Sequence, residues 1–173
     1  MTTSTLEAAP IYHGAGILDL DQFEEHLDHA GRINGPAVLF DAWFGKQISP
    51  QTLAAVIGRV WQMAEYPDSC LPHTVWRKLF AAAGFTVDGV PAERPARPVE
   101  VWRGTVPERR RDWSWTTDRA VAEAFAFGHV RRRPTGRLYR ALAPAQALLC
   151  ANTVRDEAEY VVDTRGLRIA EVA

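Results

Sequence analysis

Cysteine and long apolar runs are scarce in this sequence, and both shortages exclude classes of protein. The 173 residues include two cysteines, Cys70 and Cys150, and no Cys-x-x-Cys pair. Two isolated cysteines form neither a disulfide framework nor a four-cysteine zinc site, so we expect both thiols to be reduced and buried. The longest uncharged run, 141–154, contains Pro144 and is shorter than the roughly 18 apolar residues that a membrane-spanning helix needs. Because residues 1–10 also lack the segments of a signal peptide, we expect a cytoplasmic protein with no membrane partner.

Lysine is also scarce, since 18 of the 20 basic residues are arginine and only Lys46 and Lys78 are lysine. The 21 acidic residues give a net charge of −1, which excludes a histone-like nucleic-acid coat. The charge is unevenly distributed. Residues 1–90 contain 10 acidic and 5 basic side chains, a net −5, whereas residues 91–173 contain 11 and 15, a net +4. The two parts are therefore predicted to have different roles.

Several well-defined catalytic motifs are missing. The Gly-Ala-Gly of residues 14–16 does not extend to a dinucleotide-binding Gly-x-Gly-x-x-Gly. There is no phosphate-binding P-loop, no His-Glu-x-x-His and no Gly-x-Ser-x-Gly. His26 and His29 lie three residues apart in an acidic stretch, without a cysteine or a further patterned histidine. We therefore predict no metal site and interpret both histidines as solvated.

Proline and glycine cluster at residues 88–98, which contain three prolines and one glycine. Such a stretch cannot be regular helix and is typical of an extended segment. We therefore divide the chain into a helical N-terminal region (1–90), a proline-rich linker (91–98) and a β-rich region (99–173) that form one compact unit. The helical region is expected to pack on the sheet, because its helices offer too little surface to bury one another's apolar stripes.

Apolar residues at helical spacing predict three helices in the N-terminal region. The first covers residues 20–28. The second is capped by Ser49 and ends at Pro67, and the third is capped by Thr74 and ends at Gly84.

The second half is predicted to be mostly strands, with one inserted helix over residues 118–127 that Thr117 caps. Several strands with one inserted helix predict an α+β fold. The predicted strands are 99–103, 113–116, 138–142, 147–150, 159–163 and 167–172.

Two short elements of the β-rich region combine polar groups with strand character. Arg103 ends a strand and is followed by Gly104, so a guanidinium that suits a phosphate lies beside exposed backbone. Ser114 and Thr116 alternate with Trp115, so on a strand both hydroxyls share one face. A surface turn and an ordinary core strand are the alternative interpretations of these elements.

A third element begins with two carboxylates. Glu157 and Glu159 precede a β-prone run, and on a strand they point the same way. Like charges placed in this way repel and need a partner, which is typical of a catalytic site. A polar turn that enters a strand is the alternative.

The order and spacing of the three elements resemble the Arg–Ser–Glu class of ADP-ribosyltransferases. These enzymes cleave NAD and transfer ADP-ribose to a target. The resemblance covers roughly residues 99–172, and it implies an ADP-ribosyltransferase-like mixed β-sheet core with the helical region packed on it. It departs from the family at the second element, where the bulky Trp115 stands in place of a small residue.

The resemblance implies that NAD is the substrate and assigns it binding residues. Arg103 would hold a phosphate or ribose of NAD, and the Gly104 backbone would bond the nicotinamide amide. Ser114 and Thr116 would shape the pocket and orient a glutamate. Trp115 is a candidate for stacking on nicotinamide, with other aromatic residues as alternatives and with core packing expected for at least one tryptophan.

The resemblance also implies the catalytic groups. Glu159 would be the catalytic carboxylate, and Glu157 would position or activate the acceptor. Nicotinamide leaves as a neutral group from a cationic precursor, and a fixed carboxylate stabilises the positive charge that develops on the ribose. An unknown protein or nucleic-acid acceptor and an inhibitor or antitoxin partner are implied by analogy with toxin-like or phage and bacterial conflict effectors.

Three alternatives stay open. The chain would be an NAD glycohydrolase if water is the acceptor, or a non-catalytic binding module on a degenerate version of the fold. The arginine runs 109–111 and 131–133 would then attract nucleic acid, although they are equally typical of solvated loops. His13 followed by Gly14 also resembles the His–Tyr–Glu class of the same superfamily, without its tyrosine element.

Overall fold

The computed structural model describes residues 16–128, 135–154 and 158–172. Within these ranges a helical part comes first, and a mixed sheet with one inserted helix follows. The α+β fold predicted from the sequence is confirmed. None of the described helices is long and apolar enough to cross a membrane. The helices are α1 (Leu20–Phe44), α2 (Pro50–Met63), α3 (Pro67–Cys70), α4 (His73–Ala83) and α5 (Arg119–Ala126).

Helix α1 is longer than the predicted segment and is bent. The Asp19 carboxylate accepts a hydrogen bond from Gln22 N at 2.9 Å, and Asp19 N donates to Gln22 Oε1 at 3.1 Å. This reciprocal cap fixes the start of the helix. Gly31 interrupts the helix with φ of +70°, a conformation that glycine adopts without strain. The predicted helix at 20–28 is therefore the first half of α1.

The predicted limits of α2 and α4 are partly correct. Ser49 caps α2 as predicted, since its hydroxyl accepts from the backbone N–H of Thr52 at 3.0 Å. Helix α2 ends before Pro67, which instead begins α3. The expected cap at Thr74 is wrong, because α4 already starts one residue earlier and Thr74 lies inside it. Gly84 ends α4 with φ of +75°, as predicted.

The sheet has the strand order β2-β1-β6-β7-β4-β3-β5-β8, and its neighbours are antiparallel except for the parallel pair β1–β6. Every strand predicted from the sequence is present with small shifts at its ends. The strands are β1 (Thr86–Val87), β2 (Val90–Pro91), β3 (Val99–Thr105), β4 (Ser114–Thr116), β5 (Arg137–Ala143), β6 (Leu148–Asn152), β7 (Glu159–Val162) and β8 (Ile169–Val172). The inserted helix α5 begins at its cap Asp118, rather than at the predicted cap Thr117.

Two short strands were not predicted, and they place the start of the sheet before the linker. Thr86 pairs in parallel with Cys150 of β6, and Val87 pairs with Val90 across a tight turn. Gly89 in this turn has φ of +79° and lies close to α2, where an added Cβ would come within 2.4 Å of the Ala55 carbonyl oxygen. The sheet thus begins inside the region assigned to helices.

The helical part packs on one face of the sheet through a core rich in aromatic rings. Trp61 of α2 stacks on Trp113 beside β4, with ring centroids 6.0 Å apart, and meets Trp76 of α4 edge-on at 5.0 Å. Val161 of β7 belongs to the same core. Burying one large apolar side chain contributes about 1.5–3 kcal/mol, so this shared core holds the two parts together.

The two cysteines are free, as predicted, but only one is buried. Cys150 lies inside β6, and burial raises the pKa of its thiol well above the ordinary value. Cys70 is exposed, so the expectation that both thiols are buried is wrong. It ends the single-turn helix α3, whose last two residues lie at the surface.

Candidate active site

Strands β3 and β4 pair at a single position, Trp102 opposite Thr116, and a cavity lies at this junction. Both parts of the molecule build it. The helical side consists of Trp61, Gln62, Ala64, Glu65, Tyr66, Pro67 and Asp68. The sheet side consists of Trp102, Arg103, Gly104, Arg109, Ser114, Trp115, Thr116 and Glu159, and α5 adds Val121, Ala122 and Phe125.

The cavity brings together residues that are far apart in the sequence. The predicted site residues that line it are Arg103, Gly104, Ser114, Trp115, Thr116 and Glu159. The second predicted carboxylate, Glu157, lies outside the described residues. The three short elements therefore meet at one place, although they come from three different strands.

Arg103 is held in place by several internal hydrogen bonds. Its Nε donates to the Arg109 carbonyl oxygen at 3.1 Å, its Nη1 donates to the Ser114 carbonyl oxygen, and its Nη2 donates to Asp112 Oδ2 at 3.2 Å. The side chain is 12% exposed. Arg103 therefore braces the connection between β3 and β4, a role that the sequence did not indicate.

Arg109 presents a second, more exposed guanidinium to the cavity. Its Nε donates to Asp112 Oδ2 at 2.7 Å, so one carboxylate serves both arginines. The guanidinium lies over the ring of Tyr66, with its Cζ 4.5 Å from the ring centroid. This cation–π contact joins the sheet side of the cavity to the helical side.

Gly104 is required by the close packing of α5 on β3. A Cβ added at this position would lie 1.9 Å from the Ala122 carbonyl oxygen and 2.3 Å from Ala126 N. Both atoms belong to the backbone of the helix, which cannot move aside as a flexible side chain can. Close packing of α5 therefore explains why residue 104 is glycine. The expected hydrogen bond between the Gly104 backbone and the nicotinamide amide stays a prediction.

The two hydroxyls of β4 have different partners. Ser114 Oγ accepts a hydrogen bond from Trp61 Nε1 at 3.0 Å, which links α2 to the sheet. Thr116 Oγ1 accepts from the backbone N–H of Asp118 at 3.0 Å, at the start of α5. Thr116 also lies directly opposite Glu159 in the antiparallel β4–β7 pair. The two hydroxyls therefore connect β4 to α2 and to the start of α5, while strand pairing places Thr116 beside Glu159.

The predicted stacking residue Trp115 borders the cavity, but its side chain is almost fully buried. Trp115 is 2% exposed, its indole donates to the Asp112 carbonyl oxygen at 2.9 Å, and its ring packs in the core on the other face of the sheet. Trp113 is fully buried against the helices, and Phe127 is 52% exposed away from the lining. Phe125 of α5 lines the cavity. Phe125 is therefore a further candidate for stacking beside Trp115, and the choice of stacking ring stays a prediction.

Glu159 is the buried carboxylate of the cavity, although it begins a strand. It is 8% exposed, and its Oε2 accepts a hydrogen bond from Asn152 Nδ2 at 3.0 Å. Burying a charged carboxylate is costly unless fixed donors compensate it. A buried, hydrogen-bonded carboxylate that also lines a cavity is typical of a catalytic group.

Asp68 is a second carboxylate of the cavity wall, and its side chain is mostly buried. Burial and the nearby Asp112 raise its pKa, although hydrogen bonds from His73 and from the backbone N–H of Trp113 act in the opposite direction. The His73 Nε2–Asp68 Oδ1 distance is 2.8 Å, and the His73 ring stacks on Trp113 at 4.2 Å. Asp68 thus links helix α3 to α4 through His73, and to the sheet through the backbone of Trp113, which precedes β4.

Gln62 is a polar side chain of the cavity wall whose buried Nε2 has no hydrogen-bond partner among the described residues. An unpaired buried amide costs about 1–3 kcal/mol, which a ligand acceptor would offset. Sequence reasoning missed Gln62 because it treated α2 as a stripe of core residues. One polar position beside Trp61 was the available signal.

Other predicted sites have a simpler account. His26 and His29 each donate from Nδ1 to a helix carbonyl oxygen four residues earlier, at 2.7 and 2.8 Å. No group of three or more potential metal ligands occurs in the described part of the chain. Arg110 donates to the carbonyl oxygen of Pro107 in its own turn, and Arg111 donates to that of Thr164 beyond β7. His13 and the run 131–133 lie outside the described residues.

Comparison with known proteins adds no relative. No family model matches the chain, and no match was found among curated proteins or solved structures. The residues of the cavity therefore carry the evidence for function.

Proposed function

We propose that this protein is an NAD-dependent ADP-ribosyltransferase that transfers ADP-ribose from NAD to a macromolecular acceptor. One observation carries the proposal: the cavity at the β3–β4 junction is lined by Arg103, Ser114, Thr116 and Glu159. These are the residues that the resemblance to the Arg–Ser–Glu class assigns to NAD. Strand pairing places these residues side by side, and the cavity leaves space for a ligand next to them.

The chemistry requires a carboxylate at the ribose. The bond between the ribose carbon and nicotinamide breaks, and its electron pair leaves with nicotinamide. The ribose then carries positive charge, which the Glu159 carboxylate stabilises more than it stabilises the ground state. A nucleophile of the acceptor forms the new bond to the same carbon and loses its proton.

The remaining walls supply groups suited to the rest of NAD. Arg109 and Arg103 are the cationic side chains of the sheet side, and the partly exposed Arg109 is the better placed to meet a phosphate. Gln62 offers an amide donor without a described partner, and Phe125 offers a ring. The cavity lining combines aromatic and apolar side chains with a few placed polar groups, which is the usual composition of a small-molecule site.

The test measures nicotinamide release from NAD by the wild type and by Glu159→Gln. We expect the variant to lose about 10²–10³ in rate, since it removes the charge that acts in the transition state. The matched control is Glu171→Gln. Glu171 is an exposed glutamate of β8, and its Oε1 lies 2.6 Å from Arg137 Nη1 of β5. The control should keep the wild-type rate. Equal rates in wild type and Glu159→Gln would refute the assignment of Glu159.

The acceptor decides between the transferase and an NAD glycohydrolase, which share every group on the NAD side. With NAD labelled in the ADP-ribose part, a transferase labels a macromolecule of a cell extract, and protease or nuclease treatment identifies its class. Free labelled ADP-ribose in buffer alone would instead indicate water as acceptor. An inhibitor or antitoxin partner and a role in conflict between phage and bacteria stay predictions.

A non-catalytic module is the remaining alternative. It predicts no release in buffer or extract, and salt-dependent nucleic-acid binding that is lost when arginines 131–133 are neutralised. The other run supports this alternative less, because Arg109, Arg110 and Arg111 are each hydrogen bonded within the protein.

A further inference from the structure

A polar residue ends the otherwise apolar strand β6. Asn152 follows Leu148, Leu149, Cys150 and Ala151, and all five are buried. Asn152 is 4% exposed and does not line the cavity. It lies directly opposite Glu159 in the antiparallel β6–β7 pair, and its Nδ2 donates to Glu159 Oε2 at 3.0 Å. The amide is therefore behind the carboxylate, as seen from the cavity.

Helix α2 fixes the other side of this amide. A Cβ added at Gly58 would lie 2.5 Å from Asn152 Oδ1 and 3.8 Å from Nδ2, so glycine is needed for the helix to approach so closely. Gly58 is itself buried within α2. The Asn152 side chain is thus confined between a helix backbone and the Glu159 carboxylate, and it has little room to take another rotamer.

We propose that Asn152 is a positioning residue for Glu159, held by the close approach of α2 at Gly58. This inference rests on the proposed function, in which Glu159 acts on the ribose of NAD. A hydrogen bond to a charged carboxylate is about twice as strong as one between neutral groups, and it fixes direction as well as charge. Electrostatic stabilisation of a transition state depends on such preorganisation. Helix α2 thereby helps to fix the orientation of the Glu159 carboxylate.

The first test compares nicotinamide release by the wild type and by Asn152→Ala. Because the variant loses the hydrogen bond that orients Glu159, we expect kcat to fall about 10- to 100-fold. Because Asn152 does not line the cavity, KM for NAD should stay within about twofold. A role limited to stability would lower the amount of folded protein and leave kcat per folded molecule unchanged. Asn34→Ala, at an exposed asparagine of α1, is the control and should leave both constants unchanged.

The second test perturbs the amide without changing it. Gly58→Ala displaces Asn152 from the helix side and is expected to lower kcat, again at constant KM. In the Asn152→Ala background the same change should have almost no effect on kcat, because the group that it displaces is gone. This non-additivity identifies Asn152 as the intermediary between α2 and Glu159.

The outcomes separate this inference from the proposed function. If the wild type releases nicotinamide and Asn152→Ala keeps its kcat, or raises KM alone, the positioning role is overturned and the proposed function stands. Additive effects of Gly58→Ala and Asn152→Ala on kcat would also overturn it. If the wild type releases no nicotinamide in buffer or extract, the proposed function fails and this inference fails with it. Where Asn152→Ala does not fold, the isosteric Asn152→Asp must also lose kcat at constant KM, because it replaces the donor with a second acceptor.

Discussion

The two sides of the cavity differ in how their residues are held. On the sheet side, Arg103, Ser114 and Glu159 lie on three strands, and their positions follow from the register of the sheet. On the helical side, Gln62 lies in the last turn of α2, and Tyr66 lies in the connection between α2 and α3. The hydrogen bond between Trp61 and Ser114 and the cation–π contact between Arg109 and Tyr66 join the two sides. Both sides carry carboxylates, but the cationic groups among the described lining residues come from the sheet side, whereas α2 helps to hold Ser114 in place.

The largest effect on this comparison is expected from Gly104→Ala. The added methyl would overlap the backbone of α5, so α5 must move away from β3. We expect the free energy of unfolding to fall by about 3 kcal/mol, at the upper end of the range for overpacking. Urea denaturation measures it, with Gly16→Ala as control, since nothing lies within 4 Å of a Cβ added there. An unchanged denaturation midpoint for Gly104→Ala would show that α5 does not pack as described.

A smaller effect is expected from breaking the bond between the two sides at Trp61. Trp61→Phe and Ser114→Ala each remove the hydrogen bond between Trp61 Nε1 and Ser114 Oγ, whose net contribution is about 1 kcal/mol. A double-mutant cycle by chemical denaturation should give a coupling energy of about this size. Fully additive effects would show that the two side chains do not interact in solution.

The two buried aspartates give a third prediction, in the pH dependence of stability. Burial alone would raise the pKa of Asp163, but hydrogen bonds from Arg165 and Arg77 lower it below the ordinary value of 3.8. Its ionised form therefore contributes stability that is present above pH 3.8 and is lost as the pH falls through the lowered pKa. Asp163→Asn should cost about 1 kcal/mol at pH 7, since Arg165 is largely exposed, and less at pH 3.

Asp68, on the helical side, is expected to behave in the opposite way. Burial and Asp112 raise its pKa, so the folded state takes up a proton before the unfolded state does as the pH falls. The stability of the wild type relative to Asp68→Asn should therefore increase as the pH falls toward 3.8. Denaturation of both variants over the same pH series measures the contrast. Parallel curves for Asp68→Asn and Asp163→Asn would remove the electrostatic difference between the two sides.

The smallest effect is expected at the contact between Arg109 and Tyr66. Replacing Tyr66 with Leu removes a ring 4.5 Å from the guanidinium, a contact worth about 0.5–1 kcal/mol at an exposed site. Thermal unfolding should therefore shift only slightly. Under the proposed function, KM for NAD should change more than kcat, because Arg109 is the cationic group proposed to meet a phosphate of NAD. A large loss of kcat would assign Tyr66 to the chemistry instead.

The sequence predicted the strands and the sheet side of the site because their signals are local. Alternating residues define β3, β4 and β7, and Arg103, Ser114 and Glu159 belong to short patterns that resemble a known class. The sequence did not predict β1 and β2, because two-residue strands have no periodicity to detect. It also missed Gln62 and Asn152. Each is a single polar residue in an apolar segment, and its partner is decided by tertiary packing.

Tryptophans illustrate a second limit of sequence reasoning. Trp113 and Trp115 are equally aromatic and alternate with polar residues, so their pattern allows either to line a pocket. Strand geometry turns Ser114 and Thr116 toward the cavity, and both rings are buried in two different cores. Phe125 lies on the predicted helix 118–127, whose sequence does not show which of its residues meets a cavity, and the position of α5 brings this ring to the lining. Which face of an element meets a cavity is a property of the assembled fold.

The strand order also has a consequence for how the chain folds during synthesis. The helices come first, but the surfaces that cover Trp61 and Trp76 are supplied by residues such as Trp113 and Val161, and β1 pairs with the much later β6. In a nascent chain that has not yet reached β7, this core lacks the residues that the later strands contribute, so its helical part is incompletely covered. Such long-range closure slows folding and lengthens the period in which chaperones and proteases compete for the chain. The acidic surface of the early helices then helps to keep that unfinished half from aggregating.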